Sequence, residues 1–214
     1  MSKSVKQSTK IVNVYIDGFN LYHAIVSLGD NKLKWINFRA LAKSFLRPDE
    51  VLGKVIFFTA VLTWDKEKQA RHKNYIAAQK ACDVEVVESK FRKTNKHCHV
   101  MNRYCGRHEE KQTDVAIAVS ALMDAVAGTM HRAVLVTADS DQIPLVKALK
   151  AGFPRIAITL AAPPERGGEA RELGALVDDR TPITADRLRG CRLPRDVMDA
   201  RGKKVATMPA LYQT

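Results

Sequence analysis

Residues 133–149 read AVLVTADSDQIPLVKAL: an apolar run of strand length, a turn carrying Asp139 and Asp141, then apolar residues at helical spacing. A strand that stops at an acidic turn and resumes as a helix is half of a strand–helix–strand crossover. The same pattern opens the chain at residues 11–28, IVNVYIDGFNLYHAIVSL, where an apolar run delivers Asp17 and Asn20 to the start of another helix. Between and after these stretches, strands are expected over 51–62, 84–89 and 155–160, and helices over 37–45, 65–81, 109–128, 142–151 and 169–176. Alternation of this kind implies a parallel sheet covered on both faces.

In open sheets of that class, ligands bind beyond the carboxyl ends of the strands, where strand order reverses. Asp17 and Asp139 each follow their strand directly. Asp114 supplies a third point. Steps of about 100° per residue put it on one helical stripe with Ala118, Ala121, Ala125 and Gly128, a small-residue packing face, whereas Thr113, Ser120 and Asp124 mark a polar side. Converging carboxylates repel one another unless a divalent cation neutralises them, and an all-oxygen donor set suits Mg²⁺ or Mn²⁺. Each acid taken singly has a plainer use: Asp17 with Asn20, and Asp139 or Asp141, as helix caps, and Asp114 as a first-turn acid on the helix dipole. One cap needs one Asp, however, and TADSD carries a surplus. Asn20 is expected to orient a ligand, Thr137 and Ser140 to donate to the acids or to a phosphate oxygen, and Glu110 is a weaker fourth acid.

With 214 residues, 46% of them hydrophobic, the chain can bury one substantial core. The expected organisation is a flexible tail over 1–10, one domain over 11–190 and an irregular tail over 191–214. A net charge of +12 favours a polyanionic partner, either nucleic acid or an anionic membrane surface. No apolar segment precedes Ile11, and the longest apolar runs, 55–62 and 115–127, fall short of a bilayer span, so a cytoplasmic protein without a membrane partner is expected. Four cysteines in these positions do not resemble a secreted disulfide framework.

Residues 90–108 show no sustained period and are read as a long basic loop. From 90 to 111, seven Lys or Arg residues, among them Arg92, Lys93, Arg103, Arg107 and Lys111, stand against Glu109 and Glu110 and leave a local charge of +5. Such a track fits a nucleic-acid backbone, with Phe91 and Tyr104 as faces for unpaired bases; the plainer alternative is a solvated loop. Cys105 and His108 have ligand-like spacing, and Cys98 could complete a structural Zn²⁺ site.

Three stretches together, IVNVYIDGFNLYHAI, EEKQTDVAIAVSALMDA and AVLVTADSDQIPLVKALKAGF, resemble NYN-domain proteins of the LabA-like group, a branch of the PIN-like ribonuclease superfamily. A fainter likeness continues through EARELGALVD into LPRDV. The resemblance implies a three-layer α/β/α PIN-like fold with a mainly parallel sheet and metal-dependent hydrolysis of RNA. Its acidic positions fall on Asp17, Asp114, Asp139 and Asp141, with the motif asparagine at Asn20. By position alone, Lys111, about one turn before Asp114, could reach a scissile phosphate, and a solvated helix lysine is the plainer reading of it.

The leading expectation is therefore an endoribonuclease that cleaves single-stranded or looped RNA with carboxylate-held Mg²⁺ or Mn²⁺. The lack of a Ser/His/Asp or Cys/His set agrees with chemistry that needs no covalent nucleophile. The alternative is a noncatalytic RNA-binding or regulatory module of the same fold, and a homo-oligomer is compatible with either. An aspartyl-phosphate phosphatase would want a second Asp two residues after Asp17, where this chain has Phe19.

Overall fold

A computed structural model of the protein describes residues 9–98 and 103–213, with side chains throughout except between 92 and 111. The chain runs β1 (Lys10–Asp17), α1 (Gly18–Ser27), α2 (Phe38–Lys43), β2 (Glu50–Ala60), α3 (Lys66–Ala81), β3 (Glu85–Cys98), β4 (Arg103–Lys111) and α4 (Thr113–Val126). It continues with β5 (Arg132–Val136), α5 (Ile143–Gly152), β6 (Ala157–Leu160), α6 (Arg171–Leu176), β7 (Asp179–Arg180), α7 (Ala185–Gly190), β8 (Asp196–Met198) and β9 (Lys204–Thr207).

Seven strands form one sheet in the order β4-β3-β2-β1-β5-β6-β7. All neighbours are parallel except β3 and β4. The first strand is central. The chain builds outward from it on one side through β2, β3 and β4, crosses back through α4, and builds outward on the other side from β5. The order thus reverses between β1 and β5, which creates the crevice where α/β sheets take ligands.

Strand alternation sorts the core into two layers. Val12, Val14 and Ile16 of β1, Val55 and Phe57 of β2, and Val134 and Val136 of β5 cluster with Leu21, Ile25, Leu41 and Ile76 from the helices of one face. Their neighbours Tyr15, Ile56, Phe58, Ala133 and Leu135 cluster with Ile117, Ala121, Val146 and Leu149 on the other. The period of two along each strand produces the three-layer α/β/α architecture expected from the sequence.

Four expectations need correction. The stretch 90–108 is not a loop: its backbone forms an antiparallel ladder pairing Lys90 with Lys111 through to Cys98 with Arg103. Polar and charged residues occupy both alternating positions of these strands, so no hydrophobic alternation announces them. The helix expected from residue 109 begins at Thr113, because residues 103–111 belong to that ladder.

The segment from 191 is not irregular either. β8 and β9 pair, and Val197 and Ala206 join a third cluster with Trp35 and Ala78. The Asn74 amide donates to Thr207 O at 2.7 Å, and Trp35 Nε1 donates to Pro194 O at 2.8 Å.

Finally, α4 does not turn a polar side to solvent. Asp124 and Thr113 are buried, while Val115, Val119, Met123 and Val126 are exposed. Asp124 accepts from Tyr15 Oη at 2.8 Å and from Asn13 Nδ2 at 3.1 Å and pairs with Lys54, so a network from two strands satisfies it. A helical repeat tells which residues share a side of α4, not which side the sheet covers.

Candidate metal centre

Residue Asp17 closes β1, and its backbone is extended just before α1 begins. One carboxylate oxygen accepts the Asn20 amide at 3.0 Å, and the other accepts the Thr137 hydroxyl at 3.1 Å. The turn after β5 is tied to the same place from the opposite side. Asn20 Oδ1 accepts the Ala138 amide at 2.9 Å, and Thr137 Oγ1 accepts the Asp139 amide at 3.1 Å. Gly18 makes the tight start of α1 feasible, since a Cβ there would run into the Phe57 ring and lie 2.6 Å from Phe58 O.

Asp114 enters from the first turn of α4. The chain reaches that turn through Gln112 at φ 84°, a left-handed conformation seldom adopted by a residue other than glycine. The sharp turn redirects the ladder into the helix that aims Asp114 at the crevice. Gln142 Nε2 donates to Asp114 Oδ1 at 3.0 Å and holds it there.

Asp17, Asp114 and Asp139 each present a carboxylate oxygen such that the three atoms lie within 4.8 Å of one another. The electrostatics register this crowding. Burial pushes the Asp17 carboxyl up to about 6, with the charges of Asp114 and Asp139 adding to it against the opposing Asn20 and Thr137 hydrogen bonds. Asp114 is likewise raised, by burial first and then by Asp139 and Asp141. Among the described residues, no lysine or arginine forms an ion pair with any of the three. The helix-cap reading and the cluster reading are both true of Asp17: it caps α1 and still crowds two other acids.

The donor set fits a hard divalent cation: three carboxylates from three separate elements, mutually repelling and uncompensated among the described residues. A second feature agrees. Gln142 is buried, and its Oε1 lacks a hydrogen-bond partner while Nε2 serves Asp114, which leaves an acceptor for a water molecule beside the cluster. Sequence reasoning treated Gln142 only as a helix start. Its position directly after TADSD was the available signal.

Asp141 lies outside the trio. It is exposed on the 3-10 turn Ser140–Gln142, where its amide donates to Asp139 Oδ1 at 2.9 Å, and it reaches the site through its effect on Asp114. Ser140 is exposed on the same turn. Phe91 stands edge-on to both Phe19, at 5.4 Å, and Trp64, at 4.9 Å, so the start of the hairpin meets α1 beside the acids. The side chains of Arg92, Lys93, Arg103, Tyr104, Arg107 and Lys111, and the zinc expectation on Cys98, Cys105 and His108, lie outside the described residues. No helix among the described residues is long and apolar enough to cross a membrane.

The chain is similar to known proteins in family and fold. The family model for the NYN domain matches residues 11–183. A curated relative, the 6-hydroxy-3-succinoylpyridine 3-monooxygenase HspA of Pseudomonas putida, is 22% identical over an alignment 236 positions long, gaps included, covering 91% of this chain and 74% of that protein. The crystal structure of VPA0982, a protein of unknown function from Vibrio parahaemolyticus, superposes with a TM-score of 0.56 at 15% identity, covering 90% of this chain and all of that one. The family match takes in the strands and helices that bear Asp17, Asp114 and Asp139, and the chain belongs to the NYN-domain family, within the PIN-like superfamily.

Proposed function

We propose that this protein is a metal-dependent endoribonuclease. The observation that carries the reading is the convergence of Asp17, Asp114 and Asp139 within 4.8 Å at the reversal point of the sheet. A bound Mg²⁺ or Mn²⁺ would supply Lewis acidity, lowering the pKa of a water and offsetting charge on the departing oxygen. The chain's own groups do the rest. Asp17, Asp114 and Asp139 hold the ion, Gln142 and Thr137 fix the orientation of two of them, and Asn20 locks the β5 turn against α1. Asp141 and the exposed Ser140 face the approaching phosphate. The basic hairpin, with Arg92, Lys93, Arg103, Arg107 and Lys111, carries the RNA backbone, consistent with the net charge of +12.

The test is direct. Purified protein is incubated with labelled RNA and DNA in Mg²⁺, Mn²⁺ or EDTA, beside Asp139→Asn. Cleavage of RNA that both the chelator and the substitution abolish supports the enzyme. Intact RNA that is nevertheless bound by wild type and variant alike points to the noncatalytic module.

The named activity of the curated relative favours a second reading, in which a small hydroxypyridine is the substrate. Oxygen uptake with 6-hydroxy-3-succinoylpyridine and a reductant would mark it. The carboxylate trio weighs toward the first, because hard oxygen donors suit Mg²⁺ or Mn²⁺ at a phosphodiester.

A further inference from the structure

On the flank of α1 away from β5 lies a cavity of about 350 Å³, within the range of roughly 300–1,000 Å³ typical of small-molecule sites. Gly18 and Phe19, the two residues that follow Asp17, are among its lining residues, so the cavity and the acidic cluster are neighbours along the chain. Its walls are aromatic: Phe19, Tyr22, Phe57, Tyr75 and Tyr212 all contribute. Thr59 Oγ1 and His72 Nε2 lie 3.0 Å from each other on β2 and α3, and burial depresses the His72 pKa, which keeps the imidazole neutral. Lys34, Lys68 and Arg71 stand around it, Lys68 paired with Asp65 at 3.3 Å and Arg71 with Glu67 at 3.7 Å, and no carboxylate is among its described lining residues.

One wall comes from the end of the chain. Leu211 and Tyr212 belong to the 3-10 turn Ala210–Tyr212, beyond the residues 11–183 that the family model matches. Tyr212 lies beside Arg71 and under Lys34, whose Nζ lies 5.9 Å from its ring centroid. The NYN core alone therefore does not complete this cavity.

An apolar, aromatic-walled cavity with a neutral donor–acceptor pair and a cationic surround matches a planar nitrogen heterocycle that carries an anionic substituent. Unpaired RNA supplies that chemistry at every residue, and proteins read single strands by stacking splayed bases on aromatic side chains. We infer that this cavity receives one unstacked base of the RNA whose backbone lies across Asp17, Asp114 and Asp139, with Lys34, Lys68 and Arg71 meeting the adjacent phosphate. The inference rests on the nuclease reading for its substrate and assigns base preference to the α1–α3 cavity. Tyr22, which is 44% exposed, and Arg71 are the groups to remove, because neither belongs to the buried core.

The experiment is calorimetric titration of AMP, GMP, CMP, UMP and, as a free heteroaromatic acid, nicotinate into wild type, Asp139→Asn, Tyr22→Ala and Arg71→Ala, in EDTA. Base preference is scored in parallel by cleavage of the four homopolymers in Mn²⁺. Expected is binding that differs among the four nucleotides, is retained by Asp139→Asn, and weakens by roughly five-fold or more in Tyr22→Ala, the low end for a lost base–aromatic stack. Arg71→Ala should weaken all four nucleotides alike.

No nucleotide binding at about 1 mM, the weak end of useful affinity, would overturn the assignment. So would binding indifferent to both pocket substitutions, or nicotinate binding tighter than every nucleotide. Nucleotide binding with these responses but without cleavage supports the pocket and removes the nuclease. Cleavage whose base preference ignores both substitutions keeps the nuclease and overturns the pocket.

Discussion

Replacing Asp17 by Asn should stabilise the metal-free protein at neutral pH. Burial pushes the folded-state carboxyl of Asp17 up to about 6, against an ordinary value of 3.8. The folded state therefore binds more protons than the unfolded chain between those values. The favourable contribution is fully present below about 3.8 and is lost as pH rises through 6. At 1.36 kcal/mol per pKa unit, the ionised carboxylate costs the folded protein about 3 kcal/mol above that window. Asparagine removes the charge and is itself a good N-cap, so the bond to the Asn20 amide survives. The other position becomes an amide NH₂ facing the Thr137 hydroxyl, a loss of about 1 kcal/mol.

Asp17→Asn in EDTA should accordingly be about 2 kcal/mol more stable than wild type at pH 7.5, with the advantage gone at pH 4. Urea unfolding followed by circular dichroism at the two pH values measures this. Adding Mn²⁺ at pH 7.5 should raise wild type by about 2.7 kcal/mol at one hundred times its dissociation constant and leave the variant nearly unmoved. A variant less stable than wild type at pH 7.5, or a difference of equal size at both pH values, would refute the claim that Asp17 is held ionised at a cost the ion relieves.

Three other outcomes follow from the same packing. The Arg132 guanidinium is buried, paired with Glu50 and donating to Thr159 Oγ1 at 3.0 Å and Phe45 O at 2.9 Å, so Arg132→Ala should lose about 3–5 kcal/mol in urea unfolding, with Glu50→Gln added to it recovering part of that loss. Asp124→Ala strands Asn13, Tyr15 and Lys54 and should cost about 2–3 kcal/mol while leaving the Mn²⁺-induced rise in melting temperature intact, which separates this buried acid from the trio. Gln112→Gly should gain about 1 kcal/mol by relieving a left-handed non-glycine residue, measured by the same unfolding curves.

The parts legible in the sequence were those in which local pattern and tertiary role coincide. Residues 11–17 and 133–139 are apolar runs ending in acids, and in the structure they are adjacent parallel strands, with Ile16 beside Val136 at their carboxyl ends. The phase of α4 placed Asp114 with Ala121 and Ala125, and those residues do pack inward. The same helix defeated the reading of Asp124, because its partners Asn13, Tyr15 and Lys54 sit on β1 and β2, far away in the chain. The exposed side of α4 is apolar and the buried side holds a charge, an inversion that amphipathic pattern reports backwards.

The hairpin from β3 to β4 was illegible for another reason: polar ladders are fixed by backbone bonds and carry no hydrophobic alternation. Short strands after residue 191 offered too few residues for any period. Their one signal was the turn at Asp199, which accepts the amides of Arg201 and Lys203 and precedes Gly202 at φ 76°.

The central place of β1 would let the proposed cleavage and the proposed base recognition share one helix. A strand with β2 on one side and β5 on the other ends in the crevice, and the helix leaving it must start there. Asn20, on one flank of α1, accepts the Ala138 amide of the β5 turn and secures the acidic side. Gly18, whose missing side chain admits Phe57 of β2, opens the aromatic side. Three consecutive residues, Asp17, Gly18 and Phe19, thus fix one acid of the carboxylate trio, the point of contact with the sheet and a ring of the cavity wall. Any shift of α1 along β1 would move both sites together, so on the proposed reading the spacing between a scissile phosphate and a selected base is set by the backbone of a single turn.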